Sequence, residues 1–401
     1  MGHESPKQAL VDFLAAPFQR FLAIEASSTI LLVLATVVAL ACANSPWSAS
    51  YADLWHSYAG VSVGAWRFEL SLEHVVNDGL MALFFFLVGM EIKHELAHGE
   101  LSSRERAVLP VAGALGGMLV PAGSYALFHS SGPAASGWGI PMATDIAFAV
   151  AALTVLGPRV PPGLKVFLLA LAIVDDLAAV SVIAIFYTHE ISWQALGAAL
   201  AGVGLVVVMR KAGVRSYALY VGVGIAIWGA TLASGIHATI AGVLLGFLTP
   251  AEPISPERER SPLQELTAAL HPWVAFLIMP TFALANAGVR IEGDALLDPL
   301  ASRVSIAVGL GLFLGKPVGV TFVSWLAVRA RIAVLPEGVT WGAILGAGAL
   351  AGIGFSMALF ITTLAFEAPT LVAAAKLGIL VASVLAMVAG LAVLVRVLPA
   401  R

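Results

Sequence analysis

Residues 167–186 read FLLALAIVDDLAAVSVIAIF, an apolar run interrupted at its centre by Asp175 and Asp176. A helix rises about 1.5 Å per residue, so about 20 apolar residues cross the roughly 30 Å hydrocarbon layer of a bilayer. The run therefore reads as a spanning helix with two carboxylates at mid-depth. A charge there costs roughly 2.5–3.5 kcal/mol, which marks both residues as functional unless something pairs with them.

Outward from this run the same pattern repeats. The chain has 401 residues, of which 60% are hydrophobic and 11% charged. A soluble chain of this kind would be about 25% charged. Spans are predicted near 21–43, 74–97, 108–129, 136–157, 163–187, 193–209, 216–233, 235–249, 270–290, 304–327, 340–365 and 370–397. Twelve spans place both termini on one side. With that side cytoplasmic, Arg67, Arg290, Arg303 and Lys376 lie outside, Lys316 lies within a span, and the rest of the 21 Lys and Arg fall inside. Such a bias is the signature of cytoplasmic loops. A run at 30–40 followed by Ala41-Cys42-Ala43 mimics a cleavable signal, but Glu4, Asp12 and Glu25 precede it, so the first span is expected to stay. The net charge of −3, with no basic run, argues against nucleic acid, and Cys42 alone forms no internal disulfide.

Two loops are long enough to fold. In 51–72, Val61 and Val63, then Trp66, Phe68, Leu70 and Leu72, alternate on either side of Gly64-Ala65. That pattern reads as an external β-hairpin, with an irregular loop as the alternative. The segment 250–266, proline-rich and carrying Glu257-Arg258-Glu259-Arg260, reads as a solvated internal linker.

Two further ionisable residues lie at membrane depth: Asp145 in GWGIPMATDIAFAV (137–150) and Lys316 in VGLGLFLGKPVGVTF (308–322). Mutual pairing accounts for one acid and one base, and leaves two acids over. Consecutive residues lie about 100° apart on a helix, so Asp175 and Asp176 cannot both face one cavity. One is expected to face an ion pathway while the other pairs with a neighbour such as Lys316. Carboxylates close together in a poorly hydrated site hold protons more tightly and titrate as a coupled pair. A site that keeps protons near neutral pH and yields them to a hard cation makes the two compete, which is sufficient for exchange. Gly137, Gly139 and Pro141 before Thr144-Asp145 predict an interrupted span. Gly346, Gly348, Gly352 and Gly354 predict a second, or a closely packed helix. Paired interruptions in two halves of a chain point to a transporter site. A channel needs no titrating pair, and a metabolite symporter would add polar pockets.

The segments NDGLMALFFFLVGMEIK (77–93), GWGIPMATDIAFA (137–149), LKVFLLALAIVDDLAAV (164–180), SGIHATIAGV (234–243), LHPWVAFLIMP (270–280), FALANAGV (282–289), GKPVG (315–319) and GIGFSMALFI (352–361) stand in an order that resembles the NhaA sodium–proton antiporters, from about Glu25 to the last span. The resemblance implies an all-α integral membrane protein of twelve helices. Spans 3–5 and 10–12 (108–187 and 304–397) would be inverted repeats forming an ion-binding core, with spans 4 and 11 crossing as discontinuous helices. Residues 21–97 and 193–290 would form the interface helices. It implies no enzyme and no cofactor, but electrogenic, pH-regulated export of Na+, and of Li+, against H+ at the bacterial inner membrane. Asp176 would be the principal Na+ ligand and Asp175 its proton-coupling partner. Asp145, Lys316 and Thr144 would compensate charge at the crossing. Glu91, His94, Glu95 and His237 match pH-regulation positions, although His94 replaces an expected Arg and Thr267 an expected Glu that Glu265 does not obviously replace. The hairpin matches a homodimer contact. His94-Glu95-Leu96-Ala97-His98 also spells the zinc-protease motif, but falls where a span ends in water.

Overall fold

The computed structural model describes residues 27–63, 66–188, 191–214, 216–253, 260–290 and 298–399. Within these the chain is mostly helical. Its helices are α1 (Ser27–Ala43), α2 (Ser48–His56), α3 (Leu72–Ala97), α4 (Arg104–Phe128), α5 (Ile146–Val155), α6 (Pro162–Phe186), α7 (Trp193–Lys211), α8 (Tyr217–Ala233) and α9 (Thr239–Leu248). They continue with α10 (Pro262–Asn286), α11 (Pro299–Arg329), α12 (Trp341–Ala351), α13 (Phe355–Ala365) and α14 (Pro369–Val397).

Eight helical segments among the described residues are long and apolar enough to cross a bilayer, and up to ten if each of two bent pairs counts as one span. One bent pair is α1 with α2, at 114°; the other is α12 with α13, at 48°. The predicted spans 216–233 and 235–249 appear as α8 and α9, which are shorter apolar helices. The ten residues of α9 rise only about 15 Å. The predicted first span extends beyond α1 into 21–26, outside the described residues.

The expected hairpin is present as β1 (Tyr58–Val63) and β2 (Trp66–Ser71), paired antiparallel from Tyr58↔Ser71 to Val63↔Trp66. The predicted turn residues Gly64-Ala65 lie outside the described residues, as does 254–259 of the predicted linker.

Glycine sets the closest helix approaches. A side chain at Gly89 of α3 would meet the Val243 carbonyl oxygen of α9 at 2.6 Å, so these two helices touch backbone to backbone. Small residues permit such contact where lipid supplies no hydrophobic drive between helices. The same logic joins α4 to α11, where Gly116 and Gly319 face each other's carbonyls.

Candidate functional site

The chain before α5 is a 3-10 helix, Ala135–Met142, followed by non-helical Ala143, Thr144 and Asp145. The interruption thus falls just after the glycines that predicted it. Gly139 instead makes room for a neighbour: a side chain there would meet the Tyr187 hydroxyl oxygen at 2.6 Å, and its own N–H donates to that oxygen at 3.2 Å. The second interruption spans Gly352–Gly354 between α12 and α13. Gly348 lies earlier, where a side chain would press on Pro317 Cα at 3.1 Å. The non-helical residues and the close packing thus fall at different glycines of this run.

The two breaks meet. Asp145 N–H donates to the Ile353 carbonyl at 2.7 Å, and Thr144 Oγ1 donates to the Ala351 carbonyl at 2.9 Å. Each break leaves two helix ends whose backbone groups lack helical partners. Asp145 caps both helix starts: Oδ1 accepts from Phe148 N–H at 3.2 Å, and Oδ2 accepts from Ser356 N–H at 3.0 Å and from the Ser356 hydroxyl. Lys316 Nζ donates to the carbonyl of Met142, where the 3-10 helix ends. A carboxylate thus sits at two positive helix ends, and an ammonium at a negative one.

Lys316 is completely buried, and its ammonium also donates to Asp175 Oδ2 at 2.6 Å. Thr144 Oγ1 approaches the same oxygen at 2.7 Å, so its single proton is divided between Asp175 and the Ala351 carbonyl. Asp175 Oδ1 is buried and has no hydrogen-bond partner among the described residues. The π-turn Gly311–Gly315 immediately precedes Lys316 in α11, and such turns recur at functional sites.

Asp176 points elsewhere. Among the described residues no hydrogen bond holds its carboxylate, and it lines a cavity of about 80 Å³ with Ser28, Glu91, Asp145, His271 and Ser356. Acidic charge from Asp175, Asp145 and Glu91 bears on it, opposed by Lys316. The volume holds a few waters. Asp175 is thus the paired carboxylate, and Asp176 the one that lines the open space.

The remaining candidates separate. Glu91 belongs to this cavity. His94 lies one turn further along α3, its ring 5.6 Å from that of His98. Glu95 Oε2 accepts from Glu100 N–H at 3.0 Å, so the glutamate of the zinc-protease motif closes the loop after α3. His237 is not with these residues: its Nε2 donates to the Tyr187 carbonyl at 2.8 Å, beside Asp78 at the beginning of α3. Glu265 accepts from the Tyr217 hydroxyl at 2.9 Å, whereas Thr267 Oγ1 is buried with no hydrogen-bond partner among the described residues. Ser28, His271 and Ser356 were not predicted, because serine or one histidine in an apolar run carries no distinct signal until folding brings it to the cavity.

A family description reading Na+/H+ antiporter 1 matches residues 19–394. The chain is 49% identical to Na(+)/H(+) antiporter NhaA 2 of Myxococcus xanthus over 414 residues, covering 94% of this chain and 88% of that protein. It is 47% identical to Na(+)/H(+) antiporter NhaA of Rhodopirellula baltica over 426 residues, covering 97% and 96% respectively.

Proposed function

The chain belongs to the Na+/H+ antiporter 1 family, and on that premise we propose that it exports Na+, and also Li+, in electrogenic exchange for H+ across a bacterial inner membrane. One observation carries the site assignment: Asp176 is the carboxylate of the pair that lines a cavity without a hydrogen-bond partner among the described residues. Asp176 is the ligand at which Na+ and H+ compete, and both are substrates. A hard cation takes oxygen ligands, and the cavity offers it carboxylate, hydroxyl and space for water.

Asp175 couples the second charge. Its Oδ2 is committed to Lys316 and Thr144, and its Oδ1 has no hydrogen-bond partner among the described residues. A proton on Asp175 weakens the ion pair and frees Thr144 for Ala351, at the crossing itself. Asp145 caps both α5 and α13, so it holds the scaffold rather than the cargo. In this reading the chain has twelve spans, with α8 and α9 each counted as one, and the segments around 108–187 and 304–397 as inverted repeats. Both termini are cytoplasmic, as the Lys and Arg bias supports. Glu91, His94 and Glu95 tune the pH response at the end of α3 where the cavity begins, and His237 acts from the other end of that helix, beside Asp78. The hairpin β1–β2 joins two copies in a homodimer.

The test uses everted vesicles with an acid interior. Added Na+ or Li+ should dissipate the proton gradient and K+ should not, and Asp176→Asn should be silent. No response to Na+ at any pH from mildly acid to alkaline would reject the exchange reading. Exchange retained in Asp176→Asn would move the ligand to Asp175.

A further inference from the structure

Four polar residues form one stripe at the end of α3. Glu91, His94, Glu95 and His98 are spaced i, i+3, i+4 and i+7, so they share a face of the helix. Glu91 lines the ion cavity, and His98, the last of the four, is exposed. Helical geometry holds across the histidine pair, since His98 N–H donates to the His94 carbonyl at 2.8 Å. The two rings lie 5.6 Å apart and are tilted by 33°. Among the described residues no hydrogen bond or ion pair occupies either imidazole.

We propose that His94 and His98 form a two-imidazole site for a divalent transition metal of the Zn2+ and Ni2+ class, with water completing the coordination, and that its occupation inhibits Na+ exchange. The site stands independently of the exchange reading above; only the inhibition rests on it.

Spacing, chemistry and position each support this. Two imidazoles bonded to one ion through a nitrogen at about 2.0–2.1 Å have centroids roughly 5 Å apart. The observed separation is close to that, and a rotation of the exposed His98 side chain closes the difference. Imidazole nitrogen suits Zn2+, Ni2+ and Cu2+, whereas hard cations take oxygen, so the pair selects a different ion from the cavity. The same spacing in a zinc protease needs a third protein ligand and a glutamate acting as base. Among the described residues no group of three His, Cys, Asp or Glu side chains is placed to hold a metal, and Glu95 is committed to the Glu100 N–H. The pair is therefore a binding site and not a catalytic one. The adjacent cation leaves room for it, because Lys93 is turned to the Phe247 and Thr249 carbonyls. A metal held between His94 and His98 lies about 7 Å from Glu91 along the helix axis. That is within the screening length of about 10 Å at 0.1 M salt. Its positive charge offsets the acidic charge that draws Na+ to the cavity, so the apparent KM for Na+ rises.

The experiment reads binding independently of transport. Zn2+ and Ni2+ are titrated by calorimetry into the purified, tag-free full chain, with Mg2+ as the hard-cation control. The parent chain should bind one equivalent of Zn2+, and His98→Ala and His94→Gln should each weaken that binding roughly tenfold or more. Mg2+ should give no saturable heat. In proteoliposomes with Zn2+ on both sides, the apparent KM for Na+ should rise several-fold in the parent chain and stay unchanged in His98→Ala. No saturable Zn2+ binding by the parent chain, or the same isotherm in both variants, would overturn the site. Equal inhibition of the parent chain and His98→Ala would overturn its regulatory part. Should the parent chain fail to exchange Na+ for H+ without metal, the function reading falls, while the isotherms still decide the site.

Discussion

At the scale of single residues, Lys316 is the group whose removal is most costly. Its ammonium is fully buried and serves both the Met142 carbonyl and Asp175. Breaking a buried pair by removing one partner typically costs about 3–5 kcal/mol, because the other charge is left uncompensated. Lys316→Ala should therefore lower the melting temperature sharply, and adding Asp175→Asn should recover much of the loss; a thermal melt of the three proteins checks it. Lys316→Arg keeps the charge, and is expected to shift the pH dependence of exchange without abolishing it. Thr144→Val leaves Asp175 and the Ala351 carbonyl short of a donor, at about 1–3 kcal/mol, whereas Thr144→Ser should retain most of the stability. The ionisable residues were legible in the sequence because a charge in an apolar run is expensive wherever it points. Their division of labour was half legible: helical geometry requires two directions, but only the fold brings Lys316 to Asp175. Ser356 was illegible, since its partner Asp145 lies 211 residues away.

At the scale of elements, glycine separates what must be close from what is merely permissive. A side chain at Gly89 would strike the backbone of α9, while one at Gly79, on the same helix, meets nothing within 4 Å. Gly89→Ala should reduce folded yield and melting temperature, and Gly79→Ala should leave both unchanged or slightly raised, as helix propensity favours alanine by about 1 kcal/mol. Arg159 offers a second check. It donates from Nε to the Pro399 carbonyl at 3.2 Å and from Nη2 to Val395 and Leu398 at 3.1 and 3.3 Å, tying the loop before α6 to the end of α14. Arg159→Ala is predicted to lower the melting temperature by a few degrees with exchange retained. Element boundaries were readable where apolar runs were long, and the hairpin was readable from alternation. The span predicted at 235–249 is longer than the helix within it, because apolar flanks give the 10 residues of α9 the composition of a longer one. His237 was grouped with Glu91 and Glu95 by resemblance; chain position alone gives no depth, and the structure sets it at the other end of α3.

At the scale of the whole molecule, the two interrupted spans, the buried ion pair and the open carboxylate form one device. The breaks create helix ends that need charge; Asp145 and Lys316 supply it; Lys316 then holds Asp175, and Asp176 is left to the cavity. Because protonation removes the negative charge that a cation needs, the apparent KM for Na+ should rise as pH falls, with less change in maximal rate, in proteoliposomes titrated across the active range. Composition made the long apolar, membrane-capable helices legible, whereas the cavity was not, since its wall draws on α1, α3, α5, α6, α10 and α13. The most direct measurement is proton release from the purified, weakly buffered chain when Na+ is added. Competition at Asp176 predicts release in the parent protein and in Lys316→Arg, and none in Asp176→Asn. Undiminished release from Asp176→Asn would contradict the account.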